Sequence, residues 1–168
     1  MTRELIGVLS RDDDRAAVHI ERRYATDAAD LWSILTEPER VARWFAPVTG
    51  DLREGGAYEV AFGDGDVCRG VIERCEPPKR LELTWQIGDE PVSRVAAEVH
   101  PDGMHALLVL DHTRIDDEDI LQYGPGWQTY LERVDTLLTG EAFRDFGERF
   151  DELTPGYRRA ATEIGAPA

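Results

Sequence analysis

Ala106-Leu107-Leu108-Val109-Leu110-Asp111-His112, followed beyond an acidic loop by Trp127, Leu131, Val134 and Leu138, is the pairing of segments that decides the fold. The first segment is apolar at successive positions, as a strand covered on both faces would be. Strand alternation puts Ala106, Leu108, Leu110 and His112 on one of those faces. The second segment repeats its large apolar residues at intervals of four, three and four, the spacing of one helix face. Gly140 then stands where a helix of that phase would stop. The acidic stretch Asp116 to Asp119 separates the two.

Upstream of this pair the chain reads as strands back to Asp51. Pro101-Asp102-Gly103 is a turn. Before it, Val95, Ala97 and Val99 alternate with Ala96, Glu98 and His100, and Leu81, Leu83 and Trp85 alternate with Glu82 and Thr84. Pro77-Pro78 ends a further strand, Val67 to Cys75. Gly63-Asp64-Gly65-Asp66 is a hairpin signal after Tyr58 to Phe62, and Gly55-Gly56 is a turn or bulge. Two short helices precede this run. Asp27 is an N-cap for Leu31, Trp32, Ile34 and Leu35. Thr36 and Glu39 have capping-box spacing around Pro38 for a second helix carrying Val41, Trp44 and Phe45, stopped by Pro47. The chain starts with two alternating segments, Leu5 to Leu9 and Ala17 to Tyr24, joined by a polar turn at Arg11 to Arg15.

Strands in a run followed by a helix argue for an α+β fold rather than βαβ units. The expectation is a helix-grip arrangement: a curved antiparallel sheet wrapped around a long C-terminal helix, with two short helices after the first strands. A curved sheet does not pack flush on a straight helix, and a pocket would form in the gap. Residues 1–140 are read as this single domain. Residues 141–168 are read as an additional helical segment packed on the same domain, with weak amphipathic spacing over Glu141 to Leu153 and again over Tyr157 to Ile164.

A chain of 168 residues can bury a core and a modest cavity without staples. Its formal charge of −15 argues against nucleic acid, because phosphate binding draws on Lys and Arg releasing counterions. The same field disfavours anionic membrane surfaces. No apolar run approaches the length of a membrane span, and Met1 to Ser10 shows no signal peptide. Cys68 and Cys75 stand seven residues apart in one strand, an odd spacing that puts them on opposite faces. They are read as free thiols of a cytoplasmic protein.

The motifs in order carry a resemblance. Ile20-Glu21-Arg22 leads a strand, and Ala29-Asp30-Leu31-Trp32 starts a helix. Leu35-Thr36-Glu37-Pro38-Glu39 is followed by Ala42-Arg43-Trp44-Phe45 and then by Gly50 to Gly56. Gly70-Val71-Ile72-Glu73, Pro77-Pro78-Lys79-Arg80-Leu81 and Thr84-Trp85 come next, then Asp111-His112-Thr113 and Gly126-Trp127 at the last long helix. Over Val18 to Gly140 this set resembles the homologues of the activator of heat-shock-protein-90 ATPase, within the START-like/polyketide-cyclase (SRPBCC) superfamily. The resemblance implies the helix-grip fold and an apolar cavity. It does not imply activation of a chaperone, because the eukaryotic cochaperone leans on a separate N-terminal domain for which this chain has no room.

The cavity residues expected are Trp85, Leu108, Leu110, Tyr123, Trp127 and Leu131, with His112 as the polar contact. Trp32 and Trp44, on the short helices, are read as core or lid packing. A strand-end histidine can also be a plain hydrogen-bonded core residue, and no motif sets a nucleophile beside His112, so no catalytic residue is assigned. His100 and His105 could oppose each other across their hairpin, but a zinc site needs a third ligand that is not evident; no metal and no cofactor are expected. Glu59, Glu73, Glu82 and Glu98 read as the solvated face of the sheet. The expected function is carriage or sensing of a small hydrophobic molecule. The alternatives are a cyclase or hydrolase of a polyketide-like substrate, needing His112 and a second polar group, and a protein-interaction module, chaperone-associated or homodimeric, using Phe143, Phe146, Phe150 and Tyr157.

Overall fold

The computed structural model describes residues 5–166. The outermost ends of the two expected segments, residues 1–4 and 167–168, lie outside the described residues. Strands β1 (Gly7–Asp12) and β2 (Arg15–Tyr24) precede helices α1 (Ala28–Thr36) and α2 (Pro38–Trp44). Six more strands follow: β3 (Val48–Gly50), β4 (Ala57–Ala61), β5 (Val67–Glu76), β6 (Arg80–Ile87), β7 (Ser93–Asp102) and β8 (His105–Asp116). A single 3-10 turn, Asp117–Asp119, leads into α3 (Ile120–Thr139), and α4 (Phe146–Glu163) closes the chain.

All eight strands form one antiparallel sheet in the order β1-β2-β8-β7-β6-β5-β4-β3. The sheet is curved and open, and α3 lies in its concavity, as the α+β reading expected. β8 sits between β2 and β7 and turns Ala106, Leu108, Leu110, His112 and Ile115 inward, all buried. On its other face, Leu107 and Val109 are half-buried. Their cross-strand partners there are Arg23, His100, Glu21 and Glu98, whose long polar side chains shield the face in place of a second packed layer.

Polar anchors fix α3 to the sheet. The Tyr24 hydroxyl donates to the Leu131 carbonyl at 2.8 Å, and Arg22 pairs with Asp135. α4 packs along α3 and the edge strand β1. The Tyr157 hydroxyl, at the centre of that contact, accepts from the Gly7 amide at 3.0 Å and donates to Gln128 Oε1 at 2.6 Å. Arg149 of α4 forks onto both carboxylate oxygens of Glu132 at 2.8 Å.

Several local expectations are corrected. Thr36 does not cap α2: Glu37 occupies the N-cap without a side-chain bond, and the Thr36 hydroxyl bonds back to the Trp32 carbonyl. α3 begins at Ile120 and runs through Gly124 and Pro125, earlier than the Gly126-Trp127 pair expected at its start. Gly124 is required there because the Tyr157 ring lies against it, 2.6 Å from where a Cβ would stand. α4 is one helix through Pro155 rather than two segments. Pro155 is exposed, so the carbonyl it deprives of an amide is open to water. His100 faces Leu107 and His105 faces Asp102, so the two histidines do not oppose each other. β5 carries a bulge between Ile72 and Arg74. The extra residue reverses the alternation, and Cys75 turns to the same inner side as Cys68 instead of the opposite one.

Candidate functional site

Between α3 and the sheet lies a cavity of about 160 Å³. Its floor is the inner face of β4 to β8: Tyr58, Val60, Ile72, Cys75, Leu81, Leu83, Trp85, Val95, Ala97, Leu108 and Leu110. Alternation in each strand delivers these residues inward, and the β5 bulge adds Cys75. Trp127 and Leu131 of α3 form the roof. Leu35, Thr36, Val41, Trp44 and Phe45 close one end from α1 and α2, with Val48 and Leu52 beside them. The α1–α2 corner is rigid: the Trp44 indole N–H donates to the Ile34 carbonyl at 2.9 Å, and Arg40 bridges to Asp30 and Ser33.

The few polar atoms in this wall are already engaged. The Tyr58 hydroxyl donates to the Thr84 carbonyl at 2.6 Å, and burial raises its pKa. Thr36 bonds within α1. No charged side chain lines the space among the described residues. Such a cavity selects by shape and apolar contact, because any polar group brought in would go unbonded.

A second, more open groove of about 470 Å³ lies on the far side of three shared residues, Phe45, Trp85 and Trp127. The Phe45 and Trp127 rings are stacked, 5.7 Å apart and 6° from parallel, with Trp85 at 6.1 and 5.5 Å. These rings form an aromatic partition between the inner cavity and the groove.

The expected site residues divide across this geometry. Trp85, Leu108, Leu110, Trp127 and Leu131 line the inner cavity. Tyr123 lies on the groove side, where its hydroxyl accepts from the Trp85 indole at 3.1 Å and donates to Glu90 Oε2 at 2.5 Å. His112 lines neither space and is fully buried behind the partition.

The bonds of His112 fix its tautomer. An indole N–H can only donate, so the Trp127 contact at 2.9 Å makes Nδ1 the acceptor. Nε2 therefore carries the proton and donates to Ser93 Oγ at 2.7 Å, and Ser93 donates onward to the Trp85 carbonyl at 3.3 Å. A base that activated Ser93 would need the opposite direction at Nε2. Burial pushes the His112 pKa down to about 3, so the ring is a neutral connector between sheet and helix. Ser93 is the partner that sequence reasoning missed; its register opposite Trp85 on β6 was the available signal.

Among the described residues, no group of three or more His, Cys, Asp or Glu side chains is placed to hold a metal ion. No described helix is long and apolar enough to cross a membrane. Both cysteines are free.

The family model described as "Activator of Hsp90 ATPase homolog 1-like protein" matches residues 25–139. No curated protein matches the chain. Among solved structures, the chain is similar to CalU16 from Micromonospora echinospora, with 27% identity and a TM-score of 0.81 over 95% of this chain and 99% of that one. It is similar to the protein encoded by gene BPP1335 from Bordetella parapertussis, with 26% identity and a TM-score of 0.71 over 89% of this chain and 87% of that one. DynU16, a protein of the dynemicin biosynthetic locus, is 26% identical with a TM-score of 0.71, over 80% of this chain and 51% of that one. This chain thus spans about half of DynU16.

Proposed function

We infer the function of this chain from its family: it belongs to the Activator of Hsp90 ATPase homolog 1-like proteins. We propose that it binds a small hydrophobic molecule in the cavity between α3 and the sheet, as a carrier or sensor. The observation that carries this reading is the cavity itself, about 160 Å³ with an almost wholly apolar wall. A void of that kind loses dispersion contacts along its lining, and an occupant of matching shape restores them. An engineered apolar cavity of roughly the same size takes up benzene or xenon. The proposed contacts are Trp85, Leu108, Leu110, Trp127 and Leu131.

The fold and the relatives support a ligand-binding or cyclase-type role. DynU16 comes from a biosynthetic locus, which suits a small organic ligand or substrate here as well. The cyclase alternative needs a proton donor or acceptor facing the cavity. The bonds of His112 and Tyr58 commit both groups elsewhere, so the binding reading is preferred. The docking of α4 on α3 and β1 supports residues 141–168 as part of the same domain. The two free thiols support a reducing compartment such as the cytoplasm.

Native mass spectrometry of the purified protein against its denatured mass tests the reading. A mass excess lost on denaturation, traced by extraction to an apolar molecule, is the expected result. A bare mass that also stays bare after exposure to a panel of small apolar compounds would count against it.

A further inference from the structure

We propose that the outer groove is a second binding site, distinct from the inner cavity, and that it takes a small organic cation with a flat apolar body. The groove is about 470 Å³, within the range of roughly 300–1,000 Å³ usual for small-molecule sites. Its wall is aromatic. Phe45, Phe62 and Tyr130 meet one another at its centre, with centroids 5.4 Å apart for Phe45–Phe62, 4.6 Å for Phe45–Tyr130 and 6.5 Å for Phe62–Tyr130. Flat faces and edges at these spacings suit a planar ring.

The charge at its rim has one sign. Asp64 and Asp66, on the hairpin joining β4 and β5, line the groove, and no Lys or Arg lines it among the described residues. Glu90 stands behind Tyr123. Its carboxyl accepts from the Tyr123 hydroxyl, and burial is the first cause that raises its pKa, opposed by that hydrogen bond and supported by the nearby Asp119 and Asp66. An aromatic wall beside carboxylates attracts a cation twice, through ring quadrupoles and through Coulomb force. Two rings of this wall already pair with one cation of the chain itself. The Arg133 guanidinium lies 5.8 Å from the Tyr130 ring and 5.3 Å from Phe146, and both rings also line the groove.

This proposal stands apart from occupancy of the inner cavity, which has no charged wall. The test uses three probes of one size: 1-naphthylmethylammonium, 1-naphthylmethanol and 1-naphthoate. Each is titrated into the full chain and followed by the indole N–H signals of Trp85 and Trp127 and by intermolecular NOEs. The ammonium is expected to bind at least tenfold more tightly than the alcohol and the carboxylate, with NOEs to Phe62 and Tyr130, and to weaken as salt rises. The double change Asp64→Asn and Asp66→Asn, on an exposed hairpin, should cost it about tenfold. Leu83→Trp, which fills the inner cavity only, should leave it unchanged. Equal binding of the three probes, no response to the hairpin changes, or no binding at all would overturn the proposal. Loss of the ammonium in Leu83→Trp with NOEs to Leu108 would place it in the inner cavity, overturning this site while leaving the cavity reading intact.

Discussion

The indole N–H of Trp127 donates to Nδ1 of His112 at 2.9 Å, and this bond ties the protonation of a buried ring to the seating of α3 on the sheet. A second ring proton would remove the acceptor that holds the helix. Burial holds the pKa of the native ring at about 3, whereas a solvent-exposed histidine titrates at about 6.5. Between those values the unfolded chain binds a proton that the native chain does not, so stability falls as pH falls. The loss is about 1.4 kcal/mol for each pH unit below the unfolded pKa. Urea unfolding at pH 7 and pH 5 should therefore show wild type losing about 2 kcal/mol more than His112→Gln. An identical pH response in the two proteins would refute a neutral buried imidazole.

The inner cavity should take a very small apolar probe. Benzene is expected to raise the Tm of the wild type in a concentration-dependent way, as binding to the native state requires. Leu83→Trp should abolish that response by filling the space. Leu108→Ala, at a fully buried lining position, should cost about 2–5 kcal/mol and enlarge the cavity. A benzene response that survives the tryptophan would place the probe elsewhere.

Gly124 and Tyr157 set how closely α4 approaches α3. A methyl group at Gly124 would meet the Tyr157 ring at 2.6 Å, and ring and helix backbone have little room to yield. Gly124→Ala should lower stability by about 1–3 kcal/mol. Tyr157→Phe leaves the Gly7 amide and Gln128 without the hydroxyl that joins them, and should cost about 1–3 kcal/mol. Thermal unfolding measures both, and limited proteolysis should show α4 cleaved sooner in each variant. Unchanged Tm and proteolysis would mean that this contact contributes nothing to the docking.

Both thiols should be slow nucleophiles in the native state. Burial pushes Cys68 up to about 11 and raises Cys75 as well, so little thiolate is present near neutral pH. Intact-mass analysis after brief iodoacetamide treatment at pH 7.5 should find native protein almost unmodified and urea-unfolded protein carrying two adducts. Rapid labelling of Cys75 without denaturant would show that the cavity wall opens readily.

What the sequence made legible was the periodic part. The alternation of β6, β7 and β8 and the spacing of Trp127, Leu131 and Val134 placed the sheet, the helix and five of the lining residues before any coordinates. His112 was legible as inward-facing but not as sealed off, because its neighbours across the sheet depend on register: Val95 lies opposite it and Ser93 two residues further on. The contributions of α1 and α2 to the cavity end were hidden for a related reason. A short helix announces its apolar face but not what that face meets. The start of α3 was obscured because Gly124 and Gly126 read as helix breakers when the tertiary contact with Tyr157 is unknown.

The extra residue between Ile72 and Arg74 has a consequence for how this protein can change over time. Glu73 is exposed, and other side chains could stand in its place at little cost. Deleting it would straighten β5 into a regular ladder in which Arg74 and Cys75 keep their partners Glu82 and Leu81, so Cys75 would still face the cavity and Arg74 the solvent. The position thus tolerates substitution and the loss of one residue alike, and a relative shorter by one here would be expected to line its cavity with the same strand positions on a less bent β5.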